Sequence, residues 1–222
     1  MKNKLGQHFL NDISVIKKLI SLVDHSTRPV IEVGSGNGVI TKFLKPDIAI
    51  EIDVSLINHL RNYQLIIGDG RYLPTTRGQV VSSLPYYITT DFFHEVIKLD
   101  NIMKLVLIVQ KDFIDKITSK STLISYLLNY YYKISLFDIV PPSAFSPNPK
   151  VFSQLVVFDR ARKYNKNISE IIECVSKYRN KSVKNALSLC GYNFELQNNK
   201  KVREFKPWEI TDLLHSVGIN FV

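Results

Sequence analysis

From Pro29 to Asp159, short β-branched apolar runs alternate with longer stretches whose apolar residues recur at helical spacing. Residues 30–33 read as a strand, followed by a glycine-rich turn and a helix through Phe43 and Leu44. Residues 48–52 read as a second strand, with a helix around 56–60 behind it. Residues 65–67, 80–81 and 105–109 read as three more strands, and a helix through 92–97 separates the last two. This alternation predicts βαβ units and a mostly parallel sheet. Residues 134–140 and 154–158 flank the proline-rich loop 141–149 and predict a hairpin-type pair closing the sheet edge. Tyr130-Tyr131-Tyr132 reads as partly buried strand. After Asp159 the spacing turns helical, over 168–175, over 183–189, and from Pro207 through Ile210, Leu213 and Leu214. The pattern therefore predicts an α/β domain over 1–159 and a small helical domain over 160–222.

Composition narrows the class. At 222 residues, 45% hydrophobic and 22% charged, the chain has ordinary globular composition and enough length to bury a core without staples. Cys174 and Cys190 are its only cysteines, which excludes a disulfide scaffold and a cysteine-rich zinc site. The expected state of both is a small buried apolar residue. His25, His59, His94 and His215 lack metal-ligand spacing, so no metal is expected. The longest strongly apolar run, Leu105 to Val109, is too short to span a bilayer. No apolar signal core follows the first charges, so a cytoplasmic protein without membrane attachment is expected. The net charge of +9 is uneven: residues 160–222 carry 12 basic and 6 acidic side chains. Such an excess favours a polyanionic partner through counterion release, although Arg179, Lys181 and Lys184 also fit a merely solvated face.

Candidate chemistry begins at Glu32-Val33-Gly34-Ser35-Gly36-Asn37-Gly38, between a strand and a helix. Glycines there permit a tight turn and close approach of a ligand to the backbone. The spacing is not that of a dinucleotide fingerprint, which argues against a nicotinamide oxidoreductase. Glu51, ending the next strand, suits the two ribose hydroxyls of a nucleoside, and Asp69 suits an exocyclic adenine amine. Alone, the glycine turn is also a plain connection and Asp69 a plain turn former. Ser82-Ser83-Leu84-Pro85-Tyr86 follows the fourth strand, at the edge where open α/β sheets bind ligands. The turn suits methylation of an exocyclic amine, whose lone pair is delocalised into its ring. Acceptance of the two N–H groups by the Ser83 hydroxyl and the Leu84 or Pro85 carbonyl frees that lone pair, while Tyr86 stacks on the base.

Asn3-Lys4-Leu5-Gly6-Gln7-His8-Phe9-Leu10, the Gly34 turn, Ser83-Leu84-Pro85-Tyr86, Pro141-Pro142-Ser143-Ala144-Phe145 and Pro149-Lys150-Val151 together resemble the rRNA adenine N6,N6-dimethyltransferase family. Tyr178-Arg179-Asn180-Lys181 and Lys201-Val202-Arg203-Glu204 extend the resemblance almost end to end. It implies a Rossmann-like class I methyltransferase with a seven-stranded, mostly parallel sheet. The implied reaction is dimethylation of adjacent adenosines near the 3′ end of small-subunit rRNA, on an immature subunit during ribosome biogenesis. S-adenosylmethionine is the implied donor, and a monomer suffices. The resemblance implies that His8 and Leu10 close over the donor, Gly34 and Gly36 meet its methionine part, Glu51 holds its ribose and Asp69 reads its adenine. Ser83 would touch both donor and target, forming the catalytic turn with Leu84, Pro85 and Tyr86. Phe145 would give the second stacking face, or equally anchor the proline loop in the core. The implied role of the helical domain is rRNA docking.

Two positions depart from the family pattern. Ser83 stands where most members carry Asn; it keeps an acceptor on a shorter side chain. Gly70 stands where Ala is common. Ser83 keeps open a catalytically weak RNA-binding assembly factor, and the target leaves open an adenine N6-methyltransferase of large-subunit rRNA or of DNA.

Overall fold

The structure, a computed structural model, describes residues 7–192 and 200–215. In chain order its elements are β1 (Phe9–Leu10), α1 (Ile13–Ser21), β2 (Val30–Val33), α2 (Val39–Leu44), β3 (Ile48–Glu51), β4 (Leu65–Ile67), β5 (Arg77–Ser83), α3 (Thr89–Val96) and β6 (Asn101–Gln110). There follow α4 (Lys111–Ser119), α5 (Leu123–Tyr131), β7 (Tyr132–Val140), β8 (Phe145–Ser146), β9 (Ser153–Arg160), α6 (Lys166–Lys177), α7 (Val183–Leu189) and α8 (Ile210–His215). They group into two compact units: Met1–Asp112 with Lys133–Arg160, and Phe113–Tyr132 with Ala161–Val222. The sequence pattern cuts the chain once, at 159; the units instead interleave, and α5 counts with the C-terminal helices.

The first unit is built on a seven-stranded sheet in the order β4-β3-β2-β5-β6-β9-β7. The pairs from β4 to β6 are parallel and β9 runs antiparallel to β6. All seven predicted strands are present. Parallel strands are covered on both faces, so they read as continuous apolar runs; Leu105 to Val109 of β6 are fully buried. Helix α1 starts where the Asp12 carboxylate accepts the Ser14 and Val15 N–H groups, and it buries Ile16 and Leu19. Those side chains share a core with Leu10, Val81, Val106 and Phe145. A separate two-stranded ladder pairs Phe9 with Ser146 and Leu10 with Phe145.

The second unit is helical. Helix α6 buries Ile168, Ile171, Ile172 and Val175, the stripe that its spacing predicts. Its first turn is capped by the Asn165 side chain, which accepts the Ile168 N–H. The Tyr126 hydroxyl of α5 lies 2.7 Å from the Val202 carbonyl and 2.9 Å from that of Phe205.

Three readings need correction. Tyr130 and Tyr131 end α5, and only Tyr132 opens a strand; all three are buried. Helix α5 is apolar almost all round, so it carries no polar face to reveal its period. The helix read around 56–60 is a 3₁₀ helix, Val54–His59, capped by Leu60, rather than an α-helix. Cys174 and Cys190 are bonded to each other, joining α6 to the residue that caps α7. Packing of those helices brings their Cα atoms to 6.0 Å, a separation no spacing along the chain reveals.

Candidate active site

Strand β2 lies between β3 and β5, so the chain reverses its direction of travel across the sheet there. A crevice opens beyond the carboxyl ends of strands at such a reversal. Here one cavity is lined by Val33 at the end of β2, Glu51 and Ile52 at the end of β3, Gly68 to Gly70 after β4, and Ser83 to Ile88 at the end of β5 and beyond.

The glycine turn is fastened to β3. Gly34 and Ser35 donate their N–H groups to the Ile50 carbonyl at 2.9 and 3.0 Å. Gly36 adopts a φ of +55°, and a Cβ there would stand 3.0 Å from the Phe9 ring, so the site requires glycine. The Gly36 N–H donates to Glu51 Oε2 at 2.7 Å, and the Asp53 N–H donates to Oε1 at 2.8 Å. Buried Glu51 is thus held rigidly, with lone pairs remaining on both oxygens.

Under the turn, Glu32 is buried with no hydrogen bond to either oxygen, and the Ser35 and Thr41 hydroxyls are equally unpartnered. Burial pushes its carboxyl up to about 8; the two nearby hydroxyls offset part of this, and the Glu51 charge adds to it. Glu32 is therefore neutral through most of the physiological range.

On the next loop, the Arg71 guanidinium forks onto Asp69, with Nε 2.9 Å and Nη2 2.6 Å from Oδ2. That bond holds the Asp69 carboxyl below the usual range. Arg71 also reaches Asp91 in the first turn of α3, at 3.1 Å. Tyr87 stands at the cavity mouth, where burial and the charges of Asp69 and Glu51 raise its hydroxyl.

The Ser83–Tyr86 turn closes the opposite wall. Leu84 donates its N–H to the Ile108 carbonyl at 3.0 Å, so the turn continues the β5–β6 pairing. The Pro85 carbonyl accepts the Ile88 N–H at 3.2 Å and the Thr89 hydroxyl at 3.3 Å. Among the described residues nothing donates to the Leu84 carbonyl. Of the two carbonyls that the sequence leaves open, Leu84's is the available acceptor. The Tyr86 hydroxyl meets Ser153 Oγ at 2.6 Å, and its ring stacks with His8 at 6.0 Å.

Of the predicted residues, His8, Gly34, Gly36, Glu51, Asp69, Ser83, Leu84, Pro85, Tyr86 and Phe145 all border this one cavity. Leu10 does not: adjacent strand residues point to opposite faces, and its side chain lies in the core while Phe9 covers Gly36. Phe145 belongs to both, since it lines the cavity and is buried in the same core. Sequence reasoning misses Gln7, Phe9, Ile52, Tyr87 and Arg71. Period-two alternation in the Gln7–Leu10 segment is the signal that points to Phe9.

The cavity fits S-adenosylmethionine on its own terms. Cβ atoms at Gly34 and Gly36 would meet Pro85 and Phe9, leaving a cradle only glycine opens. Glu51, Ser83 and the Leu84 carbonyl supply acceptors along it. Among the described residues no helix is long and apolar enough to cross a membrane, and no cluster of three or more His, Cys, Asp or Glu is placed to hold a metal ion.

Two solved structures share the topology. A dimethyladenosine transferase from Plasmodium falciparum superposes with a TM-score of 0.75 at 17% identity, covering 97% of this chain and 100% of that one. The 23S rRNA methyltransferase ErmE gives 0.70 at 20% identity, covering 95% and 100%. Fold and site thus define a Rossmann-like, S-adenosylmethionine-dependent methyltransferase. The pattern of the ribosomal RNA adenine dimethylase family matches residues 1–209, and the chain belongs to that family. A ribosomal RNA small subunit methyltransferase A of Mesomycoplasma hyopneumoniae is 30% identical, over 71% of this chain and 68% of that protein. Its namesake in Aliarcobacter butzleri is 28% identical, over 97% and 93%. The activity is rRNA adenine dimethylation.

Proposed function

We propose that this chain dimethylates the N6 amines of two adjacent adenosines near the 3′ end of small-subunit rRNA, acting as a monomer on an immature subunit during ribosome assembly. One juxtaposition carries the reading: the Ser83–Tyr86 turn and the Phe145 ring border the same cavity as Gly36 and Glu51. In this reading Gly34 and Gly36 meet the methionine part of the donor, with His8 over it. The lone pairs that Glu51 keeps take the ribose hydroxyls, and Asp69, kept ionised by Arg71, stands at the adenine. Leu10 acts from the core, by seating the strand that carries Phe9. The helical domain, with its excess of basic residues, docks the rRNA.

When bound, S-adenosylmethionine supplies an electrophilic methyl group on a sulfonium centre. The protein contributes position. The Ser83 hydroxyl and the Leu84 carbonyl accept the two N–H groups of the target amine, so its lone pair leaves conjugation with the ring. Tyr86 and Phe145 hold the extruded base on its two faces, which fixes the line of attack. The alkylated amine is acidic and sheds its proton readily, so the turn needs no strong base.

The test is methyl transfer from labelled S-adenosylmethionine to small subunits lacking the modification, with mass spectrometry of the digested RNA. Dimethyladenosine at two neighbouring positions is expected. A lack of methylated product, or product confined to large-subunit rRNA, overturns the reading.

A further inference from the structure

The motif Pro149-Lys150-Val151 touches no part of the cavity, yet it leads directly into Ser153, the first residue of β9. Ser153 is fully buried, and its hydroxyl meets that of Tyr86 at 2.6 Å. Sheet register explains how residues so far apart in sequence meet. Ser83 pairs with Ile108 of β6, while Ser153 pairs with Gln110 of the same strand. The turn beyond β5 therefore crosses the end of β6 and arrives at the start of β9. The Lys111 N–H donates to the Phe152 carbonyl at 3.0 Å, which fixes the backbone just before Ser153.

We infer that Ser153 is a positioning residue that holds the Tyr86 ring where the target base must stack. The inference rests on the reading of Tyr86 as a base-stacking residue. A tyrosine ring swings about χ1 and turns about χ2, and its hydroxyl oxygen lies on the χ2 axis. A hydrogen bond from a hydroxyl on a buried strand therefore anchors the far end of that axis and stops the swing, while the stacked His8 ring bears on the plane. Stacking needs the ring held in one place, so the bond acts on base capture. The bonds that hold Gly34, Gly36 and Glu51 involve neither Tyr86 nor Ser153, so losing this bond leaves the donor's glycine cradle and ribose acceptor in place. The bond joins two hydroxyls and carries no net charge, so its effect is independent of pH below the tyrosine range.

Two variants remove the same bond from opposite ends. Ser153→Ala leaves the Tyr86 hydroxyl unpaired; Tyr86→Phe keeps the ring and leaves the buried Ser153 hydroxyl unpaired. Both are measured as full-length protein, alone and combined, on a stem-loop RNA with 2-aminopurine at a target adenosine. Stacking on Tyr86 quenches its fluorescence without any turnover. Each single variant is expected to weaken the quenched complex, and to raise KM for RNA, roughly five- to tenfold. The dissociation constant for S-adenosylmethionine stays at the wild-type value. The double variant is expected to match either single one, because one bond cannot be lost twice. Wild-type quenching in Ser153→Ala, losses that multiply in the double variant, or a matching loss of donor affinity would each overturn the inference. If wild-type protein quenches the probe but transfers no methyl group, the activity reading falls, while equal loss of quenching in both variants still upholds Ser153.

Discussion

Single residues in this site are chosen by what lies within a few ångströms of them. Gly70 is the plainest case: a Cβ there would stand 2.4 Å from Val33 Cγ1. Valine at β2 is stiff and buried, so Gly70→Ala is expected to cost about 1–3 kcal/mol. Urea denaturation should show that loss, and Val33→Ala in the same chain should restore part of it. The glycine that departs from the family pattern is thus the partner of Val33, a relation no single position in the sequence displays. Glu32 gives a pH signature. Its folded value is raised from 4.5 to about 8, so between those limits the folded state holds a proton that the unfolded chain has released. Stability therefore falls as pH rises through that window, by up to about 1.4 kcal/mol per pH unit. Denaturation midpoints from pH 5 to 8 should decline, and Glu32→Gln should flatten the decline. A slope unchanged by that substitution would mean that other groups govern it. Glu32 belongs to the glycine motif in sequence, but its protonation state follows from burial, which only the folded sheet creates.

Elements were legible where their period or their composition was unbroken. All seven strands of the main sheet announce themselves as short apolar, β-branched-rich runs, and those at its centre read as unbroken ones because they are buried on both faces. Helix α6 announces itself by a clean apolar stripe. Helix α5 does not, since seven of its nine residues are buried and no polar side marks the turn. The short β1–β8 ladder is invisible for a different reason: two residues carry no period at all. Pairing at this scale also decides the fate of the cysteines. Their bond closes a span of 16 residues between α6 and the end of α7. Chain-entropy arguments give such a cross-link about 3 kcal/mol. Thermal unfolding of the full chain under reducing conditions should therefore shift to lower temperature, and Cys174→Ser should reproduce the shift without added reductant. Equal melting curves for oxidised, reduced and substituted protein would deny the bond any part in stability.

At the scale of the whole molecule the decisive quantity is charge. A net +9 on a chain whose family acts on rRNA makes association an exchange of counterions for phosphates, so affinity falls with salt. The sequence displays this excess and its concentration after residue 159, but not which cations face outward together. In the structure Arg179, Lys181 and Lys184 are all exposed, and none of them takes part in an ion pair among the described residues. Lys177, by contrast, is already engaged with Glu173 at 3.0 Å. Free cations on a surface gain most from phosphate, because no internal partner must be given up. Replacing Arg179, Lys181 and Lys184 by glutamine should leave donor binding and kcat unchanged while raising KM for RNA. The slope of log affinity against log salt should fall by about one per lost phosphate contact, hence by up to about three. A control at Lys177 should move the slope less. An unchanged slope in the triple variant would assign these residues to a solvated face and leave RNA docking to the other basic positions of the chain.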